Sequence, residues 1–532
     1  MSDSLPKGTG QGSGDGGAGV NRRDFLKLAG LAGAAAGGAG LGAFGYAAGQ
    51  DPNSYLGWQN EEGASLVFNK KRYEVDEPTY LKVGPTSRPD ARVEQIFERR
   101  GRFMREYMRL RGGGGRGFPG MGGQPPQQGQ GSGASAEGAQ STPSSGPVTP
   151  ESFSEPLRSY YRSNPQDLDL DILNSDELQP MNRADSAEYG DEFILAEAWS
   201  AAMGAVGPGP ISGPPEVNDF PRGRGGTMPE PMKLVDPAKT AELIKAVSLQ
   251  LGSTLVGITE LNPDWVYGYP IRGRGFENLE EPLEIPDWWT YAIVVGTPMS
   301  WDPMYANPNY GTSNDAYSRS RIIATRVEAF IKALGYPART HVPGTSYDLM
   351  VPPISIDAGL GEQGRNGIMI TPEVGCNIRP AVITTNIPMA TDKPIDIGVD
   401  DFCLHCKVCA EQCPSGAIPM GDKVEVRGYR RWKIDTAKCQ NFWTSNLGNM
   451  GCRICVSVCP YTRKANWLHK TAMKVSANDP TGLTERLLTS MQKSFYPGPD
   501  PQDYFMPSLG GKNASYREPP WWLRTEDFID LD

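Results

Sequence analysis

The sequence has no surplus of basic residues. It contains 52 lysines and arginines against 62 aspartates and glutamates, which gives a formal net charge of -10. This balance offers no basic field to attract a phosphate backbone, so it argues against nucleic acid as the main partner. A small organic substrate or a protein redox partner fits the composition better. With 532 residues the chain can bury a large core without metals, so we expect any metal site to be functional.

The sequence also lacks a convincing membrane span near its start. Residues 28–48 are apolar, but they are too rich in Gly and Ala for a confident transmembrane helix. The twin arginine Arg22-Arg23, followed by Asp-Phe-Leu-Lys, resembles the signal of the Tat export pathway. We therefore expect residues 1–48 to be a Tat signal peptide, although no clean Ala-x-Ala cleavage site precedes Asp51. Export in the folded state would protect the nine cysteines of the chain from oxidation to disulfides.

Composition changes along the chain predict its division into domains. Residues 111–152 consist largely of Gly, Pro, Gln and Ser, which is typical of a flexible linker or surface insert. A charged helix is predicted over 90–110 and a short apolar helix over 192–203. The predicted units are a signal peptide (1–48), an N-terminal segment (49–110), the linker (111–152), an N-terminal unit (153–230), a catalytic domain (231–395), a cysteine-rich domain (396–470) and a C-terminal extension (471–532).

The domain predicted from residue 231 mixes helices and strands. Asp236-Pro237 is a good helix start, and Gly252 ends a stripe formed by Leu243, Ile244, Val247 and Leu251. Strands are predicted over 254–258 and 291–297, and a second amphipathic helix over 313–334. Because helices and strands do not alternate regularly, we expect an α+β fold rather than a doubly wound sheet.

Two cysteine motifs are the strongest signal in the chain. The first has the spacing Cys-x2-Cys-x2-Cys-x3-Cys-Pro, and the second has Cys-x12-Cys-x2-Cys-x3-Cys-Pro. Such spacing is typical of paired [4Fe-4S] clusters, in which the last cysteine of each motif reaches across to the other cluster. Two zinc sites are the alternative, but they need neither three closely spaced cysteines nor Cys-Pro. By the crossing rule one cluster is held by Cys403, Cys406, Cys409 and Cys459, and the other by Cys413, Cys439, Cys452 and Cys455.

A glycine motif precedes the cysteines. Gly359, Gly361 and Gly364 fit the G-x-G-x-x-G pattern of dinucleotide sites, but that pattern requires a preceding strand and a following helix. Here Pro352-Pro353 interrupts the preceding run, and residues 366–371 are strand-like before Pro372. We therefore reject a dinucleotide site and expect the glycines to let the backbone approach something flat and bulky.

Together these segments resemble a known family. The stretch Asp-Ala-Gly-Leu-Gly-Glu-Gln-Gly-Arg-Asn-Gly at 357–367, Ile-Thr-Pro-Glu at 370–373, Arg379, Thr-Thr-Asn-Ile-Pro at 384–388 and the double cysteine motif resemble the respiratory reductive dehalogenases. The resemblance implies a nitroreductase-like α+β domain that binds a base-off corrinoid, followed by a ferredoxin-like domain with two [4Fe-4S] clusters. It implies removal of halide from an organohalide, with Tyr317 as proton donor and Arg379 stabilising anionic charge. The corrinoid contacts expected from it are Gly359, Gly361, Gly364, Arg365 and Asn366.

Histidine is scarce, and this bears on the corrinoid. The only histidines are His341, His405 and His469. His341 matches the tail of the Asp-x-His-x-x-Gly cobalt-ligand motif, but Arg339 stands where the aspartate is required. We therefore expect no histidine from the protein below the cobalt. The ninth cysteine, Cys376, is either a small buried hydrophobe or part of the pocket lining, and it is not expected to be a ligand.

Two other functions remain open from the sequence. One is an enzyme similar to epoxyqueuosine reductase, and the other is a two-cluster electron carrier without corrinoid. The dehalogenase resemblance further implies an electron-donating redox partner and a small hydrophobic membrane-anchor protein on the outer face of the cytoplasmic membrane.

Overall fold

The computed structural model describes residues 73–111, 147–176, 231–271, 280–307, 311–341, 348–447, 451–464, 467–479 and 481–524. The predicted signal peptide, most of the predicted linker and the helix predicted over 192–203 lie outside these ranges. The strands are β1 (Leu81–Lys82), β2 (Leu255–Glu260), β3 (Tyr291–Thr297), β4 (Ala338–His341), β5 (Glu362–Gln363), β6 (Met369–Ile370), β7 (Arg379–Thr385), β8 (Val424–Val426) and β9 (Tyr429–Arg431).

Helices precede, separate and follow these strands along the chain. They are α1 (Ala91–Glu94), α2 (Ile96–Leu110), α3 (Leu157–Ser163), α4 (Pro165–Asp176), α5 (Pro237–Gln250), α6 (Trp301–Met304), α7 (Gly311–Ala333), α8 (Val351–Asp357), α9 (Val399–Cys406), α10 (Val408–Glu411), α11 (Thr436–Leu447), α12 (Ile454–Ser457), α13 (Trp467–Ser476) and α14 (Leu483–Phe495).

A four-stranded antiparallel sheet organises the middle of the chain. Its strand order is β2-β3-β7-β4, and β3 pairs along its whole length with β2 and β7. The prediction of β3 is confirmed over Tyr291–Thr297, and β2 lies one to two residues later than predicted. The mixed helices and strands confirm the predicted α+β class.

Strand β3 is apolar without alternation because both faces of the sheet are covered. Ala292 and Val294 point into one core, and Ile293 and Val295 point into another. Successive side chains of a strand point to opposite faces, so a strand buried on both sides needs apolar residues at every position.

Helices α5 and α7 cover one face of the sheet. Asp236 accepts hydrogen bonds from the first backbone N–H groups of α5, as a helix N-cap does. The predicted stripe of α5 is partly wrong, because Leu243 is exposed while Ile244 is fully buried. In α7 the predicted apolar face is confirmed by the buried residues Ile323 and Val327.

The other face shares one core with the cysteine-rich region. This core runs from β3 through α8 to Phe402 and Tyr461 beside the cysteines. The glycine motif follows helix α8 and leads into the short β5–β6 hairpin, so it does not have the strand-to-helix context that a dinucleotide site requires.

The segments before residue 231 pack against the cysteine-rich region. The predicted charged helix is broken at Gln95 into α1 and α2. Phe103 and Tyr107 of α2 share a core with Phe153, Leu157 and Tyr161. Residues on either side of the predicted linker therefore form one helical unit, and α4 packs against α11. Strand β1 joins the β9–β8 hairpin as a third strand.

Helices α13 and α14, in the predicted C-terminal extension, pack beside the cysteine motifs, and α14 contacts α9. Within the described ranges, no helix has both the length and the apolar content that crossing a membrane requires.

Candidate active site

Short helices present five of the eight cysteines of the two motifs. Cys403 and Cys406 lie on α9, Cys409 on α10, Cys439 on α11 and Cys455 on α12. Between α9 and α10 the chain reverses at Lys407, whose φ is +55°. A turn this tight brings the third cysteine of the first motif back beside the first two.

The buried thiols interact electrostatically in two sets, and the ferredoxin crossing rule predicts the same division. Cys459, from the second motif, lies beside three cysteines of the first, and Cys413 lies beside three of the second. Cys455 neighbours Cys409 and Cys459, so the two sets are adjacent. The assignment of each cysteine to a cluster stays a prediction. The sets are Cys403, Cys406, Cys409 and Cys459, and Cys413, Cys439, Cys452 and Cys455.

Burial raises the pKa of several of these thiols, so a nearby cation is needed to stabilise their thiolate form. It raises the pKa of Cys406 to about 11 and the pKa values of Cys439 and Cys452 to about 12. A buried thiolate is unfavourable unless a positive charge, such as that of iron, stabilises it. Among the described side chains no group of three or more His, Cys, Asp or Glu is placed to hold a metal ion. A cubane needs wider spacing than one ion, because its iron and sulfide atoms lie between the thiolates.

Tyr317 and Arg379, predicted as the catalytic pair, lie together. Tyr317 is on α7, and Arg379 begins β7. The guanidinium carbon of Arg379 lies 5.4 Å from the centroid of the Tyr317 ring, within the range of a cation–π contact. Arg379 also donates to Oγ of Ser313 on α7 (3.3 Å), and its carbonyl accepts from Ser320 (2.5 Å). Two helix residues therefore fix the arginine beside the phenol.

The three glycines of the motif make close contacts within the chain itself. A Cβ at Gly359, where φ is +70°, would collide with the carbonyl of Lys393, and one at Gly361 would collide with the carbonyl of Ile370. At Gly364 it would lie 2.7 Å from a methyl of Ile370. All three glycines thus approach a neighbouring strand or loop of the protein itself. Their predicted contact with a flat cofactor stays a prediction.

Arg365 occupies a different position from the one predicted. Its guanidinium is buried and donates to the carbonyls of Cys403 (2.9 Å), Pro419 (2.8 Å) and Gly421 (2.8 Å). It also lies 4.7 Å from the ring centroid of Trp432. The guanidinium of Arg365 therefore binds the cysteine-rich region. This geometry does not support the predicted contact of Arg365 with a corrinoid.

Asn366 and Cys376 join the glycine motif to the cysteines. The Asn366 amide nitrogen lies 3.3 Å from Cys376 Sγ and 3.4 Å from the carbonyl of Cys455. Cys376 is completely buried, and its thiol interacts electrostatically with that of Cys459. The neighbouring Cys376 thiol lowers the pKa of Cys459. Of the two interpretations left open for Cys376, the buried one holds.

The three histidines have contacts inside the protein. His341 is fully buried and pairs with Oγ1 of Thr384 at 2.9 Å. His405 Nδ1 lies 3.1 Å from the carbonyl of Asp401, and His469 Nε2 lies 3.3 Å from the carbonyl of Pro460.

One structural residue of the site was not predicted. Glu362, inside the glycine motif, has no exposed surface and accepts hydrogen bonds from the backbone N–H groups of Ile397 (2.5 Å) and Val399 (3.3 Å). It thereby holds the start of α9, which carries Cys403 and Cys406. No local pattern marks this role, because its partners lie more than thirty residues away.

Comparisons with known proteins agree with this arrangement. Residues 402–462 match the 4Fe-4S dicluster domain family, and the match includes all eight cysteines of the two motifs. A tetrachloroethene reductive dehalogenase of Sulfurospirillum multivorans is 32% identical over 272 residues, which cover 45% of this chain and 53% of that protein. Over this region the chain is similar to the reductive dehalogenases. It spans about half the length of the curated relatives that it matches.

Solved dehalogenase structures share the fold. A catabolic reductive dehalogenase in complex with 3-bromo-4-hydroxybenzoic acid matches with a TM-score of 0.54 and 23% identity, over 82% of this chain and 50% of that chain. A reductive dehalogenase whose structure suggests a mechanism for B12-dependent dehalogenation matches with a TM-score of 0.54 and 23% identity, over 85% and 52%. These likenesses confirm the α+β fold with a ferredoxin-like domain.

Proposed function

We propose that this dehalogenase relative removes halide from a small organohalide, using a base-off corrinoid reduced through two [4Fe-4S] clusters. The observation that carries the proposal is the contact between Arg379 and Tyr317 at the start of β7. The segment that ends in Arg379 also contains Cys376, which contacts a predicted cluster ligand. The proposed proton donor on α7 and the proposed cationic side chain and electron path at the start of β7 thus lie close together in the fold.

Tyr317 supplies the proton in this proposal. Replacing a carbon–halogen bond by a carbon–hydrogen bond requires two electrons and one proton, and the halogen leaves as halide. The phenol O–H of Tyr317 donates that proton to the substrate carbon. Arg379, held over the ring, stabilises the phenolate that remains and the negative charge that develops nearby.

The arginine has capacity for a further contact. Its Nε is buried and has no hydrogen-bond partner among the described residues. Burying such a donor without an acceptor is costly, so a bound group that accepts from it would be stabilised. An acceptor on the substrate or on the corrinoid side chains fits this position.

The corrinoid supplies the cobalt centre that breaks the carbon–halogen bond when it is bound. A base-off form without a protein histidine is supported by the internal partners of His341, His405 and His469. The two cysteine sets would hold the clusters, since eight thiols in two adjacent sets suit one-electron transfer between two cubanes.

Halide release tests the proposal. Protein made anaerobically, with full iron and added hydroxocobalamin, is given reduced viologen and a panel of chlorinated and brominated aliphatics and phenols. We expect release that requires cobalamin and falls about 10²–10⁴-fold in Tyr317→Phe, which removes only the phenol oxygen. Bound corrinoid without release would favour another corrinoid reduction, such as one on epoxyqueuosine. Intact clusters without bound corrinoid would favour an electron carrier.

We also propose that the chain is exported by the Tat pathway, anchored by a small hydrophobic protein and supplied by a redox partner. The support is the twin arginine before the apolar stretch. Replacing Arg22-Arg23 with Lys-Lys should retain the protein in the cytoplasm, measured by cell fractionation. Unchanged export of that variant would refute the assignment.

A further inference from the structure

We propose that Arg365 and Arg463 supply positive charge to one iron-sulfur cluster and raise its reduction potential, because each guanidinium binds the backbone carbonyl of a cysteine in the same set. Arg365 donates to the carbonyl of Cys403 (2.9 Å), and Arg463 donates to the carbonyl of Cys459 (3.0 Å). The proposal deepens the proposed function and rests only on its clusters, so it stands whether or not the enzyme removes halide. The affected cluster is the one assigned to Cys403, Cys406, Cys409 and Cys459.

Neutral acceptors hold both guanidinium groups in place. Besides the cysteine carbonyl, Arg365 donates to two backbone carbonyls in the loop after the first cysteine motif. Arg463, just after the second motif, also donates to the carbonyls of Ser457 (3.2 Å) and Thr462 (2.6 Å). A further bond runs from Arg463 to Oε1 of Gln492 on α14 (2.8 Å). Neither positive charge can move away from the cysteines without breaking several of these bonds.

Neither guanidinium has a carboxylate partner within the part of the chain that the structure describes. Arg365 is 2% exposed, and its guanidinium carbon lies 4.7 Å from the ring centroid of the buried Trp432. Lys423, beside the same ring, differs because it forms an ion pair with Asp400. A buried cation without a counter-charge is unfavourable. A cluster bound by thiolates is anionic, so it provides the counter-charge that no described carboxylate gives to the two arginines.

The two positive charges act on the cluster's reduction potential. Reduction adds an electron to a cluster that is already anionic, and a fixed positive charge nearby stabilises the reduced form more than the oxidised form. The potential therefore rises. Burial of Arg365 strengthens the effect, because water and salt screen a buried charge less than an exposed one. Since an arginine does not lose its proton in proteins, this contribution is independent of pH.

A redox titration of the holoprotein followed by low-temperature electron paramagnetic resonance tests the proposal. Arg365→Met removes one charge, Arg365→Lys keeps the charge without the planar fork, and Arg463→Gln removes the second charge while keeping a donor. Arg88→Met is the matched control, because Arg88 also donates to three backbone carbonyls, all of them outside the cysteine-rich region. Iron and sulfide content is measured for each variant, so that cluster loss is separated from a change in potential.

In both Arg365→Met and Arg463→Gln we expect the potential of the same cluster to become more negative, while the potential of the other cluster changes less. Arg365→Lys should lie closer to wild type than Arg365→Met does, because the charge sets the potential and the lysine retains it. Arg88→Met should keep both wild-type potentials, since it removes a charge and three bonds far along the chain from the cysteines.

Unchanged potentials in Arg365→Met or Arg463→Gln with full iron would overturn the proposal. Equal shifts in Arg365→Lys and Arg365→Met, or a shift of the same size in Arg88→Met, would show a packing effect and overturn it as well. If Arg365→Met does not retain its iron, the comparison of Arg463→Gln with Arg88→Met decides the matter. Wild-type protein without two cluster signals would refute the proposed clusters themselves, which is a different failure.

Discussion

Replacing Glu362 with glutamine should remove a large pH-dependent contribution to stability. Burial, followed by the charge of Asp396, raises the pKa of Glu362 to about 8. The folded protein therefore keeps this side chain largely protonated at neutral pH. Glutamine copies that neutral state, and its oxygen can still accept from the backbone N–H groups of Ile397 and Val399.

The sign and size follow from proton linkage. A pKa above the ordinary value of 4.5 means that the folded protein binds the proton more tightly than the unfolded chain does. Stability from this group is complete below about pH 4.5 and is lost as the pH rises through about 8. Because one pKa unit corresponds to about 1.4 kcal/mol, the free energy of unfolding falls by roughly 4–5 kcal/mol over that range. Glutamine does not titrate and avoids this loss.

Anaerobic urea unfolding measures the effect. Wild type and Glu362→Gln are compared at intervals between about pH 5 and 9, and their difference cancels the contributions of other titrating groups. We expect the variant to gain stability relative to wild type as the pH rises. Glu425→Gln, at an exposed glutamate on β8, is the control and should show no such trend. A difference between wild type and Glu362→Gln that stays constant with pH would refute the reasoning.

Three further predictions follow from the site. Tyr317→Phe should lower the rate of halide release about 10²–10⁴-fold, as loss of a general acid does, with unchanged iron content; retention of the full rate would exclude the phenol as proton donor. Arg365→Met should lower the free energy of unfolding by about 4.5 kcal/mol, at ~1.5 kcal/mol for each of three bonds from a charged donor. Anaerobic denaturation checks this value, and a loss below about 1 kcal/mol would show that these three bonds contribute little. Gly361→Ala should cost about 1–3 kcal/mol through its collision with the carbonyl of Ile370, whereas Gly421→Ala, with open space around it, should be harmless. Equal thermal unfolding of the two alanine variants would contradict this close approach.

Local sequence patterns predicted the secondary structure around the sheet well. Asp236 starts α5 as expected because an N-cap depends only on the next few residues. The extent of β3 was also predictable, since a run dominated by apolar residues is typical of a buried strand. The exposed side chain of Leu243 was not, because the face that a helix buries depends on which neighbour covers it.

The site residues divide in the same way. The cysteine spacing by itself indicated a pair of clusters, because three thiolates in one short segment fix the geometry locally. The contact of Arg379 with Tyr317 joins residues more than sixty positions apart. Local patterns do not predict such a contact, and only the family resemblance led us to expect it. Arg365 was expected to contact the corrinoid, but it binds backbone carbonyls of the cysteine-rich region. A buried arginine and one that binds a ligand look alike in a sequence.

The helix caps, the buried strand, the cysteine spacing and the charge balance follow from the order of the amino acids, since each depends on neighbouring residues or on composition. Long-range packing sets the strand order β2-β3-β7-β4, the two sets of thiols and the placement of Glu362, Asn366 and Cys376 against the cysteine loops. These contacts join segments distant in the chain, and their energies come from burial and hydrogen bonds that exist only after the segments pack together.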